Sequence, residues 1–329
     1  MKQSIYIFKS GTLKRDDNNL LFIDEQNNKK YIPIEIINDL YIFSEMDLNA
    51  KLLVFLSQKE IPVHFFNYYE YYSGSFMPRD GYVSGDLLIK QVEHYTNMDR
   101  RLIIAKEFIK AASYNIYRNL RYYNNRGKDL DCIITQIQIL RESIDNTRSI
   151  NELMGIEGNI RKVYYSSWNI INENMCFEKR VKRPPDNIIN TLISFLNSIF
   201  YTKVLTEIYK TQLNPTISYL HEPGTKRFSL SLDVSEVFKP LIVDRLIFNL
   251  INKNVIKDND FYNELNYLRL KEDSLKKIMV HFEETMKRTI NHKTLNRNVS
   301  YQHLIRLELY KLIKHLLGEK NYEGFKIWW

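Results

Sequence analysis

The sequence predicts an α+β protein: a small, sandwich-like β-rich domain over residues 1–85 and a larger all-α domain over residues 86–329. Two observations carry this prediction. Up to residue 85, short apolar runs alternate with polar turn residues, which is typical of strands. Beyond it, apolar residues recur at intervals of three and four, the spacing of helices that pack one face on a core. A length of 329 residues is enough for two such domains.

Five short runs rich in β-branched and aromatic residues predict the strands of the first domain, at 4–8, 20–23, 30–34, 39–43 and 61–66. Asn and Asp clusters predict turns at 16–19 and 27–28, and residues 48–58 predict a helix. The segment His64–Tyr72 holds six aromatic residues in nine positions. It has two interpretations: a buried hairpin, or an aromatic surface through which two copies of the chain associate.

Helical periodicity in the second domain predicts helices at 98–123, 133–144, 151–172, 186–210, 234–251, 260–290 and 301–317. The apolar run 187–202 is shorter than the roughly 20 residues that cross a bilayer, and it contains asparagines, so we expect a buried core helix. Residues 1–5 lack the organisation of a secretion signal. We therefore expect a cytoplasmic protein with no membrane partner.

Charge is distributed unevenly between the two domains. Residues 1–85 hold 9 Lys and Arg against 11 Asp and Glu, whereas the remainder holds 38 against 28. A basic surplus confined to the helical domain favours an anionic partner on that domain. The 10 glycines form neither of the glycine-rich phosphate-binding motifs, which excludes nucleotide-binding architectures built on them.

The first segment with chemical potential surrounds Glu157. Glu157 and Arg161 are four residues apart, which allows an ordinary ion pair on one helix face. Gly155 and Gly158 flank the glutamate inside a helical pattern, where each costs up to about 1 kcal/mol against alanine. A close approach of another group to this backbone is the functional interpretation, and the simple ion pair is the alternative.

Two further segments supply an imidazole and two carboxylates. His221 falls in a loop, because Asn-Pro and Pro-Gly pairs bracket it. Asp233 and Glu236, three residues apart, share one face of a helix, or they form the capping box that starts it. Pro240 predicts a kink or a late helix start. Glu157, His221 and Glu236 together suit a hard divalent ion such as Mg²⁺ or Mn²⁺, and hence metal-dependent phosphoryl transfer on nucleic acid.

These segments resemble, in order and spacing, motifs of the family of CRISPR-associated protein one, the spacer-acquisition integrase. The matching segments are 154–158 with Arg161, Tyr164 and Tyr165; Arg183-Pro184-Pro185 with Asn190; 214–221; and 232–240. The resemblance covers essentially the whole chain, and the residues within the motifs are most similar to those of the type I-B branch. It implies a metal-dependent DNA endonuclease and integrase of antiviral CRISPR adaptation. A 3′-hydroxyl of incoming DNA would attack the repeat by transesterification.

The resemblance also assigns roles to residues. Glu157, His221 and Glu236 fall on the family's catalytic ligands of Mg²⁺ or Mn²⁺, and Asp233 falls on an acidic position beside the metal. Four residues are the candidates for DNA binding: Arg161, Tyr165, Lys239 and Arg245. The expected partners are double-stranded and branched DNA, a second copy of the chain paired through the β-rich domain, and CRISPR-associated protein two. The alternative function is a non-catalytic basic scaffold that binds nucleic acid.

Overall fold

The computed structural model describes residues 2–78, 82, 84–175, 177–182, 185–225, 228–264, 267–292 and 294–328. The chain divides into two units, residues 1–83 and 84–329, close to the predicted boundary at residue 85. The first unit contains eight described strands and one helix: β1 (Gln3–Ile7), β2 (Gly11–Asp16), β3 (Asn19–Asp24), β4 (Lys29–Pro33), β5 (Ile37–Ile42), β6 (Met46–Leu48), α1 (Ala50–Gln58), β7 (Val63–Phe66) and β8 (Tyr72–Phe76).

Two four-stranded sheets, in the orders β1-β5-β7-β8 and β4-β3-β2-β6, contribute to one apolar core. In β5 the core residues Leu40 and Ile42 alternate with Asp39 and Tyr41, which lie outside this core, as the two-residue period of a strand requires. Leu40 and Val63 of the first sheet, Leu13 and Leu20 of the second, and Leu52 of α1 are fully buried in that core. The sandwich-like character predicted from the sequence is therefore confirmed for this unit.

The aromatic segment His64–Tyr72 forms the antiparallel hairpin of β7 and β8. His64 and Phe66 are buried, which confirms the hairpin interpretation for the strand itself. At the turn, the side chains of Tyr68 and Tyr69 are 60% and 50% exposed and lie edge to face. Self-association through this unit stays a prediction.

The second unit is mostly helical, as predicted. Its described helices are α2 (Gly85–Thr96), α3 (Met98–Asn124), α4 (Asp131–Glu142), α5 (Ile150–Ser166), α6 (Trp168–Ile171), α7 (Ile188–Tyr209), α8 (Ser229–Lys239), α9 (Arg245–Asn252), α10 (Glu272–Lys287) and α11 (Tyr301–Leu316). Residues Pro240–Asp244 form a π turn between α8 and α9. Because α8 begins at Ser229, the late helix start predicted from Pro240 is wrong, and the proline instead takes the first position of a widened turn between α8 and α9. The kink stays a prediction.

Two short hairpins interrupt the helical unit: β9 (Phe261–Glu264) with β10 (Tyr267–Leu270), and β11 (Thr289–His292) with β12 (Arg297–Ser300). The predicted helix at 260–290 therefore begins only at Glu272. Aromatic and apolar residues at 261, 262, 267, 268 and 270 fit a helical repeat on paper, yet they have equal propensity for strands. Antiparallel pairing between β9 and β10 makes this segment a hairpin rather than a helix.

Helix α7 is long and apolar enough to cross a bilayer by length and composition alone. However, 72% of its most apolar window is buried inside the structure, so it packs as a core helix, as predicted. It packs against α8, and α3 packs against α8 from another side. The helix that carries Asp233 and Glu236 is thus held by long neighbours.

Candidate active site

The three predicted metal ligands lie on separate elements of the second unit. Glu157 is in the middle of α5, Glu236 is in α8, and His221 is in the connection from α7 to α8. Ser149 starts α5, because its side chain accepts a hydrogen bond from the backbone N–H of Glu152. The placement of His221 outside regular structure confirms the loop predicted from its Pro and Gly neighbours.

Asp233 of α8 holds the loop that carries His221. Its carboxylate accepts hydrogen bonds from three successive backbone N–H groups, those of Tyr219 (2.7 Å), Leu220 (2.9 Å) and His221 (2.9 Å). It also accepts from the imidazole, with 2.8 Å between His221 Nδ1 and Asp233 Oδ1. A carboxylate on Nδ1–H leaves Nε2 as the nitrogen available to a ligand.

The capping-box interpretation of Asp233 and Glu236 is wrong. Helix α8 begins at Ser229, so Asp233 lies beyond the first turn, where backbone N–H groups already have helical partners. The side chain of Asp233 is fully buried and turns to the preceding loop instead. Its role is to hold the histidine.

Two residues outside the predicted segments fasten the same loop. Gln91 of α2 bonds both the N–H (2.8 Å) and the carbonyl (3.2 Å) of Asn214. Arg101 of α3, itself buried, donates to the carbonyl of Tyr219 (2.8 Å) and to Glu222 (2.7 Å). The loop that carries His221 is therefore held at its start and on both sides of the histidine.

Arg161 links the two glutamates. Its guanidinium lies 3.4 Å from Glu157 Oε1, which confirms the predicted pair on α5. A shorter contact, 2.6 Å, joins Arg161 Nη2 to Glu236 Oε2 on α8. Lys239 forms an ion pair with the other oxygen of Glu236, and its ammonium lies over the ring of Tyr201 at 4.6 Å. Two cations thus flank one buried carboxylate.

The polar side chains of α3 secure the segment that follows Glu236. Asn115 donates to the carbonyl of Val237 (2.8 Å) and Asn119 to that of Pro240 (2.6 Å). Both asparagines are buried, and they are four residues apart on one face of α3. Side chains of α3 thereby donate hydrogen bonds to two backbone carbonyls at the change from α8 to the π turn.

The charges of the cluster are unequally balanced. Burial and then the charge of Glu236 raise the pKa of Glu157 above its usual value. Burial alone would raise the pKa of Glu236 too, but Lys239 and Arg161 outweigh burial and hold that pKa well below its usual range. Burial opposes protonation of His221, yet the hydrogen bond and charge of Asp233 leave its pKa raised.

Donor chemistry is the test of whether this cluster fits a divalent ion. In the part of the chain that the structure describes, no three His, Cys, Asp or Glu side chains form a ready metal-binding group. The donor types nevertheless fit, because two carboxylates and an imidazole oriented by a carboxylate suit Mg²⁺ or Mn²⁺.

The predicted DNA-binding residues lie in three different environments. Arg161 and Lys239 are largely buried in the acidic cluster just described. Tyr165 is partly buried, with its ring 5.1 Å from Trp168 and 5.3 Å from Phe177. Arg245 begins α9 and lies over the ring of Tyr122 at 4.9 Å.

Tyr164 and Trp168 are fully buried and belong to the core. Asn190 of the fourth motif is also buried, and it accepts from Arg180 (3.0 Å) and donates to the carbonyl of Lys179 (2.9 Å). Arg183 and Pro184 of that motif lie outside the described residues.

Known proteins match the whole chain. Residues 5–284 match the family described as CRISPR associated protein Cas1. The chain is 62% identical over 330 residues to the CRISPR-associated endonuclease Cas1 of Fusobacterium nucleatum, covering 100% of this chain and 98% of the relative. A solved CAS1 protein from Thermotoga maritima is 41% identical, with a TM-score of 0.87 over 98% of this chain and 100% of its own.

A more distant solved structure shares the fold. A casposase bound to integration product superposes with a TM-score of 0.88 and 21% identity, over 98% of this chain and 93% of its own. At this identity the likeness shows the fold alone.

Proposed function

The chain belongs to the CRISPR-associated protein Cas1 family, and from this premise we propose that it is a metal-dependent DNA endonuclease and integrase of CRISPR adaptation. The observation that carries the proposal is the hydrogen-bonded pair of Asp233 and His221, together with Glu157 and Glu236, which both form ion pairs with Arg161. Asp233 of α8 orients the imidazole, and Glu157 of α5 and Glu236 of α8 share one arginine. Glu157, His221 and Glu236 thus supply two carboxylates and an imidazole at the positions that the resemblance assigns to the family's metal ligands.

Glu157, His221 and Glu236 would hold Mg²⁺ or Mn²⁺, which when bound polarises a scissile phosphate and stabilises charge on the reacting oxygens. The chain's own residues set up that site. Asp233 fixes the imidazole with Nε2 available, and the buried cations Arg161 and Lys239 keep Glu236 ionised. The attacking group is the 3′-hydroxyl of a DNA end, so no protein nucleophile is required.

We further propose the setting of this activity. The basic surplus of residues 86–329 supports binding of double-stranded and branched DNA by the helical unit, because phosphate contacts dominate DNA affinity. Arg245 and Tyr165 stay candidates for those contacts. A homodimer formed through the β-rich unit, assembly with Cas2 and a cytoplasmic location follow from the family resemblance. The same basic surplus is equally expected of the alternative function, a DNA-binding scaffold without catalysis.

Removal of the divalent ion tests the proposal. With full-length protein, Cas2 and a branched DNA substrate, we expect joined and nicked products in Mn²⁺ or Mg²⁺. A chelator should reduce the product at least about a hundredfold, because metal catalysis contributes several kcal/mol. Gel analysis of labelled strands measures this. Equal product in chelator would reject metal dependence, and DNA binding without product in any lane would favour the scaffold.

Gly158 tests whether DNA approaches α5. A Cβ added there would meet no described atom within 4 Å, so Gly158→Ala is expected to stabilise the helix by about 1 kcal/mol. That gain raises Tm by roughly 2–4 °C. If the DNA backbone lies close, the methyl group should weaken DNA binding about tenfold. Melting and DNA titration measure the two effects.

The exposed Asn159 of the same helix provides the matched control, because Asn159→Ala adds an alanine to α5 without changing its charge or filling the gap at Gly158. An unchanged DNA affinity in Gly158→Ala, together with the raised Tm, would show that close approach of DNA is not why glycine stands there.

A further inference from the structure

The π turn after α8 changes which residues share a face with Glu236. Asp244 is eight residues further on, and in a regular α-helix it would point about 80° away from Glu236. A π turn adds one residue to the helix, which returns Asp244 to within about 20° of that direction. Asp244 therefore faces α5 together with Glu236.

Arg161 lies between these two carboxylates. Its Nη2 is 2.6 Å from Glu236 Oε2, a short hydrogen bond, whereas its Nη1 is 3.6 Å from Asp244 Oδ2, just beyond hydrogen-bond distance. One guanidinium carries both donor groups, so a small shift exchanges one partner for the other. In the conformation described here the guanidinium engages Glu236.

Asp244 is available for that exchange. Its side chain is buried, and Oδ2 has no hydrogen-bond partner among the residues that the structure describes. A buried carboxylate oxygen without a donor is costly, and the nearest described cationic group is the Nη1 of Arg161. The side chain of Arg161 is itself only 13% exposed, so water does not readily replace a lost partner.

We propose that Asp244 is a positioning residue that takes Arg161 from Glu236 when a divalent cation occupies the site. This inference rests on the metal site of the proposed function. A cation and a guanidinium on the same carboxylate repel each other, and Asp244 gives the guanidinium a second anionic partner on the same face. The consequence is that Asp244 sets cation affinity through Arg161, without contacting the cation.

The Mn²⁺ affinity of the full chain tests this role of Asp244 without recourse to activity. It is measured by calorimetry and by the electron paramagnetic resonance spectrum of free Mn²⁺. Asp244→Asn, which keeps the shape, should weaken Mn²⁺ binding about tenfold, the scale found when residues behind metal ligands are changed. In the Arg161→Gln background the same change should weaken binding less than about twofold, because the partner it serves is gone. Asp244→Glu should restore affinity to within about threefold of wild type.

Asp145→Asn is the matched control, as it removes an exposed carboxylate ion-paired with Lys110 and should leave Mn²⁺ affinity unchanged. An equal loss with and without Arg161 would overturn the proposal, since Asp244 would then act on the cation by charge alone. No loss in either background would overturn it as well. If Glu157→Gln also leaves Mn²⁺ affinity unchanged, the proposed metal site itself fails, and the two failures are thereby distinguished.

Discussion

Glu157→Gln should reduce metal-dependent strand transfer by at least about a thousandfold while leaving DNA affinity within about threefold of wild type. The amide has the volume of the carboxylate but not its charge, so the change removes the proposed metal donor without opening a cavity. A lost ligand forfeits several kcal/mol of stabilisation of the reacting phosphate, which corresponds to this factor. In the proposed function DNA affinity rests on phosphate contacts of the basic helical unit, so it should persist in this variant.

Strand transfer with labelled branched DNA and DNA binding by titration are measured on the same preparations. Glu142→Gln is the control, because Glu142 ends α4 on an exposed surface and its neutralisation alters net charge equally. Should Glu157→Gln retain more than about a tenth of wild-type transfer in Mn²⁺, Glu157 is not a ligand. The Arg161 pair would then be its whole role.

The fold was predictable because its signals are local. The two-residue and three-to-four-residue periods decide which residues face a core, and they place α3, α7 and α11 close to their observed bounds. Strands β2, β6 and β8 were not predicted. All three carry glycine or charge, so pairing with neighbours rather than propensity makes them strands.

Residue types and then the motif resemblance pointed to the ligand segments, whereas Gln91 and Arg101, which hold the His221 loop, gave no signal. Gln91 bonds Asn214, Arg101 bonds Tyr219, and each pair is separated by more than a hundred residues in sequence. Gln, Arg and Asn on a helix face are ordinary, and only tertiary packing shows what they meet.

Asp233 was misinterpreted for a related reason. An acidic residue three positions before a glutamate is the usual sign of a helix start, and only the chain preceding it shows that α8 begins earlier. The signal that could have corrected the error is the pair of serines Ser229 and Ser231, either of which offers an earlier start for the helix. The π turn was signalled by Pro240, but which turn would absorb the proline depends on the donors of α3.

Asp233→Ala is expected to destabilise the protein by about 3–5 kcal/mol and to abolish strand transfer. The change leaves three buried backbone N–H groups and the His221 imidazole without their acceptor, and each unpaired buried group is costly. For a unit of this size the loss corresponds to a decrease in Tm of about 10 °C. Thermal melting and the strand-transfer assay measure the two effects on one preparation.

Asp233→Asn separates stability from orientation of the histidine. The amide keeps one carbonyl oxygen as an acceptor but presents an N–H₂ group where donors now converge, so we expect roughly half the loss of stability. Because the imidazole loses its charged partner, strand transfer should still fall about ten- to hundredfold at temperatures where the variant is folded. Wild-type transfer in folded Asp233→Asn would show that the carboxylate only stabilises the loop, and that His221 needs no orienting charge.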